Sequence, residues 1–165
     1  MNTRNDPGKG RFEIQRLSAG HANQVSELIS EVILPLEYYS EEARTKEIAK
    51  YSAPQLQEQL NADPDSVLVA LDQDRPVAFC LSRPDDGLIW LSWFGVSQDH
   101  RKSGLGQAML DALAKTMPAR SAHKIWCDTR TTNLVSQKVL QAAGYRKIAT
   151  LTNHWYGKDF FLWER

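Results

Sequence analysis

The order of apolar and polar residues predicts alternating strands and helices in the first half of the chain. Apolar and polar residues alternate over 11–17, and this period of two predicts a β-strand. Apolar residues then recur at helical spacing, which predicts a helix that ends at Pro35. A second helical stretch covers 41–66 and contains Pro54, so we expect a break there. Two strands joined by a polar turn follow over 67–82.

The central apolar run, LIWLSWFGV at 88–96, follows the pair Asp86-Gly87. Asp-Gly between two apolar runs is a strong hairpin signal. The apolar residues of 88–96 occupy both alternating sets, and this pattern is typical of a strand that is buried on both faces. We therefore expect this strand to lie in the middle of a sheet that is covered by helices.

The second half of the chain continues the alternation and closes the sheet. The resulting order, β-α-α-β-β-β-α-β-α-β-β, predicts an α/β fold with a mixed sheet and helices on both faces. The elements expected here are a helix that stops near Pro118, a strand at 123–129, a helix at 133–144 that ends at Gly144, and closing strands at 145–151 and 155–164.

Length and composition are those of one globular domain. The chain has 165 residues, of which 42% are hydrophobic and 24% charged, so a sizeable core is expected. The polar start, 1–10, is interpreted as a flexible leader before a single domain at 11–165. Twenty basic residues balance twenty acidic ones, which argues against nucleic acid or an anionic membrane as a partner.

The location predicted for the protein is cytoplasmic. Its two cysteines, Cys80 and Cys127, both lie in apolar runs, which is typical of a reducing compartment rather than a disulfide scaffold. The start of the chain lacks the apolar core of a secretory signal, and no later apolar run is long enough to span a bilayer.

The segment VSQDHRKSGLGQAML, 96–110, places a glycine-rich turn between a strand and a helix. Backbone N–H groups at such a helix N-terminus favour a bound anion. A P-loop is excluded because Gly106 is followed by Gln107 rather than by lysine. The dinucleotide fingerprint is excluded because Met109 stands where it requires a third glycine. The remaining alternatives are a plain surface turn with a basic rim and the Gln/Arg-x-x-Gly-x-Gly/Ala loop for the pyrophosphate of coenzyme A, which 101–106 fits.

A second motif lies downstream in NLVSQKVLQAAGY, with the spacing Asn-x-x-Ala/Ser-x-x-x-Tyr/Leu-x-x-x-Gly-Phe/Tyr. The two motifs together resemble the GCN5-related N-acetyltransferase (GNAT) superfamily, over about 67–165. Within it, the segment IWCDTRTTN is most similar to the ribosomal-protein alanine N-acetyltransferases. The residues that match the second motif are Asn133, Ser136, Leu140, Gly144 and Tyr145.

The resemblance implies a sheet of about seven strands whose fourth and fifth strands splay apart. Acetyl-CoA would be the co-substrate and no metal would be needed, which agrees with the absence of metal-ligand spacing among the histidines and cysteines. Pantetheine would lie in the gap, and the pyrophosphate would lie on the glycine-rich turn. Leu91 would then belong to the core, and the strand would form the wall of the gap nearer Trp93 and Phe94. The residues implied in coenzyme binding are Phe94, Gly95, Val96, Arg101, Lys102, Ser103, Gly104, Leu105, Gly106, Gln107, Asn133 and Ser136.

The resemblance also indicates which residues move the protons. It makes Asp128 the candidate general base, five residues before Asn133, although a hydrogen bond to the 129–132 loop or a pair with Arg130 would equally explain an aspartate there. Many members carry a tyrosine as acid where this chain has Leu140. Tyr156 is a weak candidate for that acid, and packing is the alternative explanation for it.

The predicted reaction is acetyl transfer by direct attack of a primary amine in a ternary complex. The acceptor is a small amine, an amino acid or a peptide N-terminus, and the protein is a monomer or homodimer. The alternatives are transfer of another acyl group and a non-catalytic module that binds acyl-CoA. Three acidic residues beside two tyrosines could attract a cationic amine, or could simply form a solvated helix start with Ser40 as N-cap: Glu37, Glu41 and Glu42 beside Tyr38 and Tyr39.

Overall fold

The computed structural model describes residues 12–165, so the leader predicted over 1–10 lies outside the described residues. Seven strands and five α-helices alternate along these residues. In chain order they are β1 Glu13–Arg16, α1 Ala22–Ile33, α2 Glu41–Ala49, α3 Ala53–Ala62, β2 Val67–Asp72, β3 Arg75–Asp85, β4 Leu88–Val96, α4 Leu105–Lys115, β5 Lys124–Arg130, α5 Leu134–Ala142, β6 Arg146–Leu151 and β7 Phe160–Glu164.

The seven strands form one mixed sheet, as predicted, in the order β1-β2-β3-β4-β5-β7-β6. All neighbours are antiparallel except β4 and β5, which run parallel. The predicted hairpin joins β3 to β4, and Asp86 and Gly87 both have positive φ there. Positive φ at both central residues is the geometry of a type I′ turn, whose twist matches that of the two strands.

Helices cover both faces of the sheet and divide the core in two. Helices α1 and α3 pack against one face, over a cluster that includes Val25, Ile29 and Phe79. Helices α4 and α5 cover the other face, over a cluster that includes Leu110 and Leu140. The helices therefore cover the central strands on both faces.

Strands β4 and β5 diverge shortly after they begin, which confirms the predicted splay. They pair only from Leu88 to Trp90 on β4, opposite Lys124 to Trp126 on β5. Beyond Trp90, β4 stays paired with β3, and β5 pairs with β7. A V-shaped opening is thus built into the middle of the sheet, between two well-supported walls.

An irregularity in β4 lies beside this opening. Leu81 of β3 pairs with Trp93, whereas the next residue, Ser82, pairs with Leu91, so Ser92 is an extra residue. Such a bulge turns the side chains that come after it. Accordingly Leu91 packs in the cluster under α4, whereas Trp93 packs against the cluster under α1.

The prediction that 88–96 is buried on both faces is wrong. Ile89 and Leu91 are buried, but Trp90, Trp93 and Phe94 are only half-buried. For Trp93 and Phe94 the physical reason is the splay, which leaves this part of β4 uncovered, and both residues border the opening as the resemblance implied. Apolar residues at both alternating sets of positions in 88–96 therefore belong to a strand that borders the opening between β4 and β5.

Two predicted boundaries also differ from the structure. The break in 41–66 falls at 50–52, and Pro54 lies in the first turn of α3, where the missing N–H of proline has no cost. The last strand begins at Phe160 rather than at residue 155, because 155–157 form a 3₁₀ turn with Tyr156 at positive φ. Across residues 12–165 no helix is both long and apolar enough to cross a membrane.

Candidate active site

One cleft of about 1480 Å³ occupies the opening between β4 and β5 and extends over both of its ends. This volume exceeds the range of about 300–1,000 Å³ that is usual for small-molecule sites. Among the coenzyme residues predicted from sequence, only Ser103 is not part of its lining. The predicted residues that line it are Phe94, Gly95, Val96, Arg101, Lys102, Gly104, Leu105, Gly106, Gln107, Asp128, Asn133, Ser136 and Tyr156.

The glycine loop, residues 101–107, leads directly into α4. Gly104 precedes the helix with φ +80°, a left-handed conformation that strains residues with a side chain. Gly106 is closely packed instead, because a Cβ there would lie 3.3 Å from Cγ1 of Val139 on α5. The two glycines therefore serve backbone conformation and helix packing, and both leave the backbone of the first turn open to the cleft.

The helix N-terminus supplies the positive end of the cleft. Gly104 has no side chain with which to cap the N–H groups of the first turn of α4. Arg101 and Lys102 are exposed beside it, and Nε of Arg101 donates to the carbonyl of Val96 at 3.2 Å. Ser103 turns away from the cleft and donates to the carbonyl of His100 at 2.6 Å. Unsatisfied N–H groups, a helix dipole and two cations together suit a phosphate.

Asn133 and Ser136 form the N-terminus of α5. Oδ1 of Asn133 accepts the backbone N–H of Ser136 at 3.1 Å, and Nδ2 donates to the Ser136 hydroxyl at 2.8 Å. This reciprocal cap explains the Asn-x-x-Ser spacing by local structure. Both residues also border the cleft, so the cap fixes a polar edge opposite β4.

Asp128 lies on β5 where that strand has left β4. Its Oδ2 accepts the indole N–H of Trp155 at 2.7 Å, and neither Arg130 nor the 129–132 loop provides the partner that the sequence suggested. Burial raises the pKa of Asp128, whereas the Trp155 hydrogen bond and nearby His154 act in the opposite direction. Desolvation thus prevails, which moves this carboxyl towards the range of a useful base.

The turn between β6 and β7 carries Trp155 to Asp128. Asn153, Tyr156 and Gly157 all have positive φ, so this turn folds back sharply on itself. Trp155 is 52% and Tyr156 44% exposed, and both border the cleft. The turn therefore forms one wall over the carboxylate, and it brings the Tyr156 hydroxyl to the same side.

The opposite wall comes from α2 and the segment before it. Glu47 accepts the indole N–H of Trp93 at 3.0 Å and the ammonium of Lys50 at 2.6 Å. The ring centroid of Tyr39 lies 5.8 Å from that of Trp93. Burial, with some contribution from the charge of Asp128, raises the pKa of Tyr39, so this phenol stays protonated. Aromatic rings and the carboxylates of Glu47 and Asp128 thus surround this end of the cleft.

The acidic residues singled out from sequence lie elsewhere. Glu37, Glu41 and Glu42 are exposed and do not line the cleft. Ser40 caps α2 by accepting the N–H of Ala43 at 3.2 Å, and Glu42 pairs with Lys46. The solvated helix start is therefore the correct interpretation of this segment.

Glu47 was missed by sequence reasoning because nothing local distinguishes it. Helix α2 is polar on most of its surface, and only the bond between Glu47 and Trp93, 46 residues apart, brings this glutamate into the cleft. Trp155 was missed for the same reason, since its partner Asp128 is 27 residues away. Neither pair leaves a spacing signal in the sequence.

Several residues of the second motif and both cysteines belong to the core. Leu140 is fully buried under α5, and Tyr145 is 4% exposed in the same cluster. Burial raises the pKa of Cys80 to about 12 and that of Cys127 well above its usual value. Both thiols stay protonated at neutral pH and are poor nucleophiles.

The residues that the structure describes contain no group of three or more histidine, cysteine or acidic side chains placed to hold a metal ion. The positive end of the cleft instead consists of backbone and cationic side chains. Its negative end consists of Glu47 and Asp128. The arrangement combines a positively charged helix N-terminus, a slot between two strands and a desolvated carboxylate in one continuous space.

Solved structures that share this fold include several acetyltransferases. PaiA N-acetyltransferase from Thermoplasma acidophilum, in complex with coenzyme A, matches with a TM-score of 0.78 at 19% identity, over 93% of this chain and 98% of that one. Ribosomal-protein-alanine N-acetyltransferase from Brucella melitensis matches with a TM-score of 0.74 at 18% identity, over 93% and 98%. YncA from Salmonella typhimurium, described as a putative acetyltransferase with its cofactor acetyl-CoA, matches with a TM-score of 0.72 at 16% identity, over 94% of each chain.

At these identities the likeness establishes the fold. Among curated proteins, no sequence matches at a significant level. The family model for the acetyltransferase (GNAT) family matches residues 33–145, more than half of the chain and all of both motifs. The chain therefore belongs to the acetyltransferase (GNAT) family and is an acetyltransferase.

Proposed function

We propose that the protein binds acetyl-CoA in this cleft and transfers the acetyl group directly to a primary amine. One observation carries the proposal: the splay of β4 and β5 joins the N-terminus of α4 and the desolvated carboxyl of Asp128 in one cleft. In this proposal the helix N-terminus would hold a phosphate at one end of the slot, and Asp128 would act as base at the other.

The coenzyme would enter along the glycine loop. Its pyrophosphate would accept hydrogen bonds from the backbone N–H groups of 104–107, with Arg101 and Lys102 close by. Its pantetheine amides would pair with the free edge of β4 near Phe94 to Val96, in the manner of an added strand. Beyond Trp90 this edge has no partner on β5, so its backbone groups are available.

The transfer itself needs two proton movements. The amine nitrogen attacks the thioester carbon, and its proton passes to Asp128 directly or through one water. The carbon–sulfur bond then breaks, so that the acetyl group stays on nitrogen and coenzyme A leaves as a thiolate. That thiolate takes a proton from the Tyr156 hydroxyl or from water. Leu140 takes no part because it is fully buried in the core.

The environment of Asp128 suits the role of base. An ordinary aspartate, with a pKa of about 3.9, is a weak base towards an ammonium ion. Burial raises the pKa of Asp128, which strengthens it as a proton acceptor. Glu47 lies nearby and raises the pKa of Asp128 slightly further, while its own charge is offset by the ammonium of Lys50.

The shape of the cleft favours an acceptor that is longer than a simple amine. From Phe94 back to Trp90, the cleft follows β4 for about 13 Å at the usual rise per residue of a strand. Gln55 and Gln59 of α3 line its wall, one helical turn apart. Their uncharged amides, about 6 Å apart along the helix axis, can pair with N–H and C=O groups of an extended peptide.

At the Trp90 end of this stretch, the cleft offers little to the second positive charge of a polyamine. Asp63 lies there, but its carboxylate accepts from Arg120 at 2.5 Å, and Arg83 adds positive charge. A polyamine would need an unpaired carboxylate at that distance. We therefore propose a peptide N-terminus as the acceptor, and its α-amino group, with a pKa of about 7.7–8.0, is partly neutral at physiological pH.

The test is a transfer assay with acceptors of graded length. Peptide amides of one to five residues, with all first residues equally represented, are incubated with acetyl-CoA, and acetylated products are quantified by mass spectrometry. Spermidine and simple alkylamines serve as compact and polycationic acceptors. The double variant Gln55→Ala/Gln59→Ala is compared with Gln57→Ala, which changes a glutamine of the same helix outside the cleft.

Transfer is expected to rise with length up to about four residues, given the span of β4 that the cleft follows. The double variant should lose this rise, and the Gln57→Ala control should keep it. Equal rates at all lengths, or a preference for spermidine, would rule out the peptide acceptor. Coenzyme binding without transfer to any amine would favour the non-catalytic module, and transfer only with a longer acyl-CoA would favour another acyl group.

A further inference from the structure

Two Ser-x-x-His segments with the same local structure flank the turn between β2 and β3. They are Ser18–His21, before α1, and Ser97–His100, after β4. In each, the backbone N–H of the histidine donates to the backbone carbonyl of the serine at 3.0 Å. The serine Oγ lies 2.9 Å from Nδ1 in the first segment and 2.7 Å in the second.

Each histidine continues to an aspartate at one end of that turn. Nε2 lies 3.1 Å from Asp74 in the first case and 3.1 Å from Asp72 in the second. A neutral imidazole with its proton on Nε2 satisfies the whole chain, because it donates to the carboxylate and accepts the serine hydroxyl. We call these chains the His21 bridge (Ser18, His21, Asp74) and the His100 bridge (Ser97, His100, Asp72).

The two bridges lead into different elements of the fold. After His21 the chain enters α1, whereas after His100 it enters the glycine loop. The carbonyl of His100 accepts the Ser103 hydroxyl at 2.6 Å, so the residue is tied to the loop through its backbone as well. Asp72 is 25% exposed and Asp74 96% exposed, which makes the His100 bridge the better shielded of the two.

The glycine loop contains a strained residue that needs such support. Lys102 has φ +62°, a left-handed conformation that is unfavourable for a residue with a Cβ. Residues in this conformation persist where surrounding contacts determine the backbone. The contacts on either side of Lys102 are those of His100, Arg101 and Ser103.

We propose that His100 is a positioning residue that holds the glycine loop in the conformation that receives the coenzyme. This inference rests on the proposed acetyl-CoA function, but it concerns affinity and not the chemical step. Without the His100 bridge the loop would have to become ordered when the coenzyme binds. The loop would then lose conformational entropy on binding, which would weaken the affinity. Once the coenzyme is bound, the thioester and Asp128 would have the same geometry as before.

The experiment compares His100→Asn with His21→Asn. The second variant removes the equivalent bridge at a place outside the glycine loop. Coenzyme A and acetyl-CoA affinities are measured by calorimetry, unfolding temperatures by circular dichroism, and kcat at saturating acetyl-CoA. We expect Kd for coenzyme A to rise roughly tenfold in His100→Asn, the cost of ordering a loop, and to stay unchanged in His21→Asn. Unfolding temperatures should fall in both variants, and further in His100→Asn because its bridge is better shielded, while kcat should stay within about twofold of the wild type.

Unchanged coenzyme affinity in His100→Asn, an equal loss in both variants, or a loss confined to kcat would each overturn this inference. A wild type that binds no coenzyme would overturn the proposed function as well, so the two failures are distinguishable. If His100→Asn does not fold, Ser97→Ala removes the other end of the same bridge, with Ser18→Ala as its control. The same contrast in Kd is then expected, and its absence counts against His100.

Discussion

The two ends of the cleft are built in opposite ways. The coenzyme end consists of β4 residues and the glycine loop, which both lie within one short segment, 94–107, together with the cap of α5. The acceptor end brings together Tyr39, Glu47, Asp128 and Trp155 from four separate parts of the chain. In the proposed function, the first end would bind through its backbone, whereas the second would act through side chains that long-range hydrogen bonds hold in place. The donor is thus encoded locally, and the acceptor is encoded by the tertiary structure.

The largest expected effect is at the acceptor end, with Asp128→Asn. The amide cannot take the proton, so kcat should fall by about 10²–10³-fold, within the range of general bases. Coenzyme A affinity should not change, because the variant leaves the glycine loop intact. Steady-state kinetics and calorimetry measure the two, with Asp111→Asn, an aspartate outside the cleft, as control. Full activity in Asp128→Asn would remove this residue from the mechanism.

The coenzyme end is tested by Arg101→Ala/Lys102→Ala. Loss of two cations beside the pyrophosphate should raise Kd for coenzyme A roughly tenfold, and the loss should shrink at high salt. At saturating acetyl-CoA, kcat should be unchanged. The matched control is Arg146→Ala/Lys147→Ala, which removes the same dipeptide from an exposed edge strand outside the cleft. An equal rise in Kd in both double variants would show general charge attraction instead of a seat.

Leu140→Tyr tests whether the missing tyrosine can be restored. Leu140 is fully buried between α5 and the sheet, so the larger polar side chain should destabilise the fold by about 1–3 kcal/mol. No gain in kcat is expected, because the position does not line the cleft. Urea unfolding and kinetics provide the measurements, and Leu134→Tyr, on the exposed start of the same helix, is the control. A faster enzyme would place the acid at position 140 after all.

The smallest effect is expected from Trp155→Phe. The indole N–H stabilises the ionised carboxylate, so its removal should raise the pKa of Asp128 further. The base is active when deprotonated, and activity is lost as pH falls through this pKa. The acidic limb of kcat/KM should therefore move to higher pH, by an amount that a pH profile measures.

Trp126→Phe is the matched control for that variant, because Trp126 on β5 donates its indole N–H to Glu164 outside the cleft. Its acidic limb should coincide with that of the wild type. A shift to lower pH in Trp155→Phe, or the same shift in both variants, would contradict the role assigned to Trp155.

This contrast also explains how far the sequence could predict the molecule. The glycine loop and the cap at Asn133 are short patterns whose spacing follows from local backbone geometry, so they can be predicted from the sequence. The apolar run 88–96 gave the right element but the wrong burial, because the splay depends on where β5 stops pairing. Glu47 and Trp155 acquire partners 46 and 27 residues away, which no periodicity records.

A crystal structure with bound acetyl-CoA would show whether the splay of β4 and β5 holds the thioester between the two ends of the cleft. We expect the pyrophosphate on the backbone of 104–107, pantetheine along β4 near Phe94, and the thioester facing Asp128 across the opening. Coenzyme bound elsewhere, or a thioester turned away from the Asp128 carboxylate, would contradict this expectation.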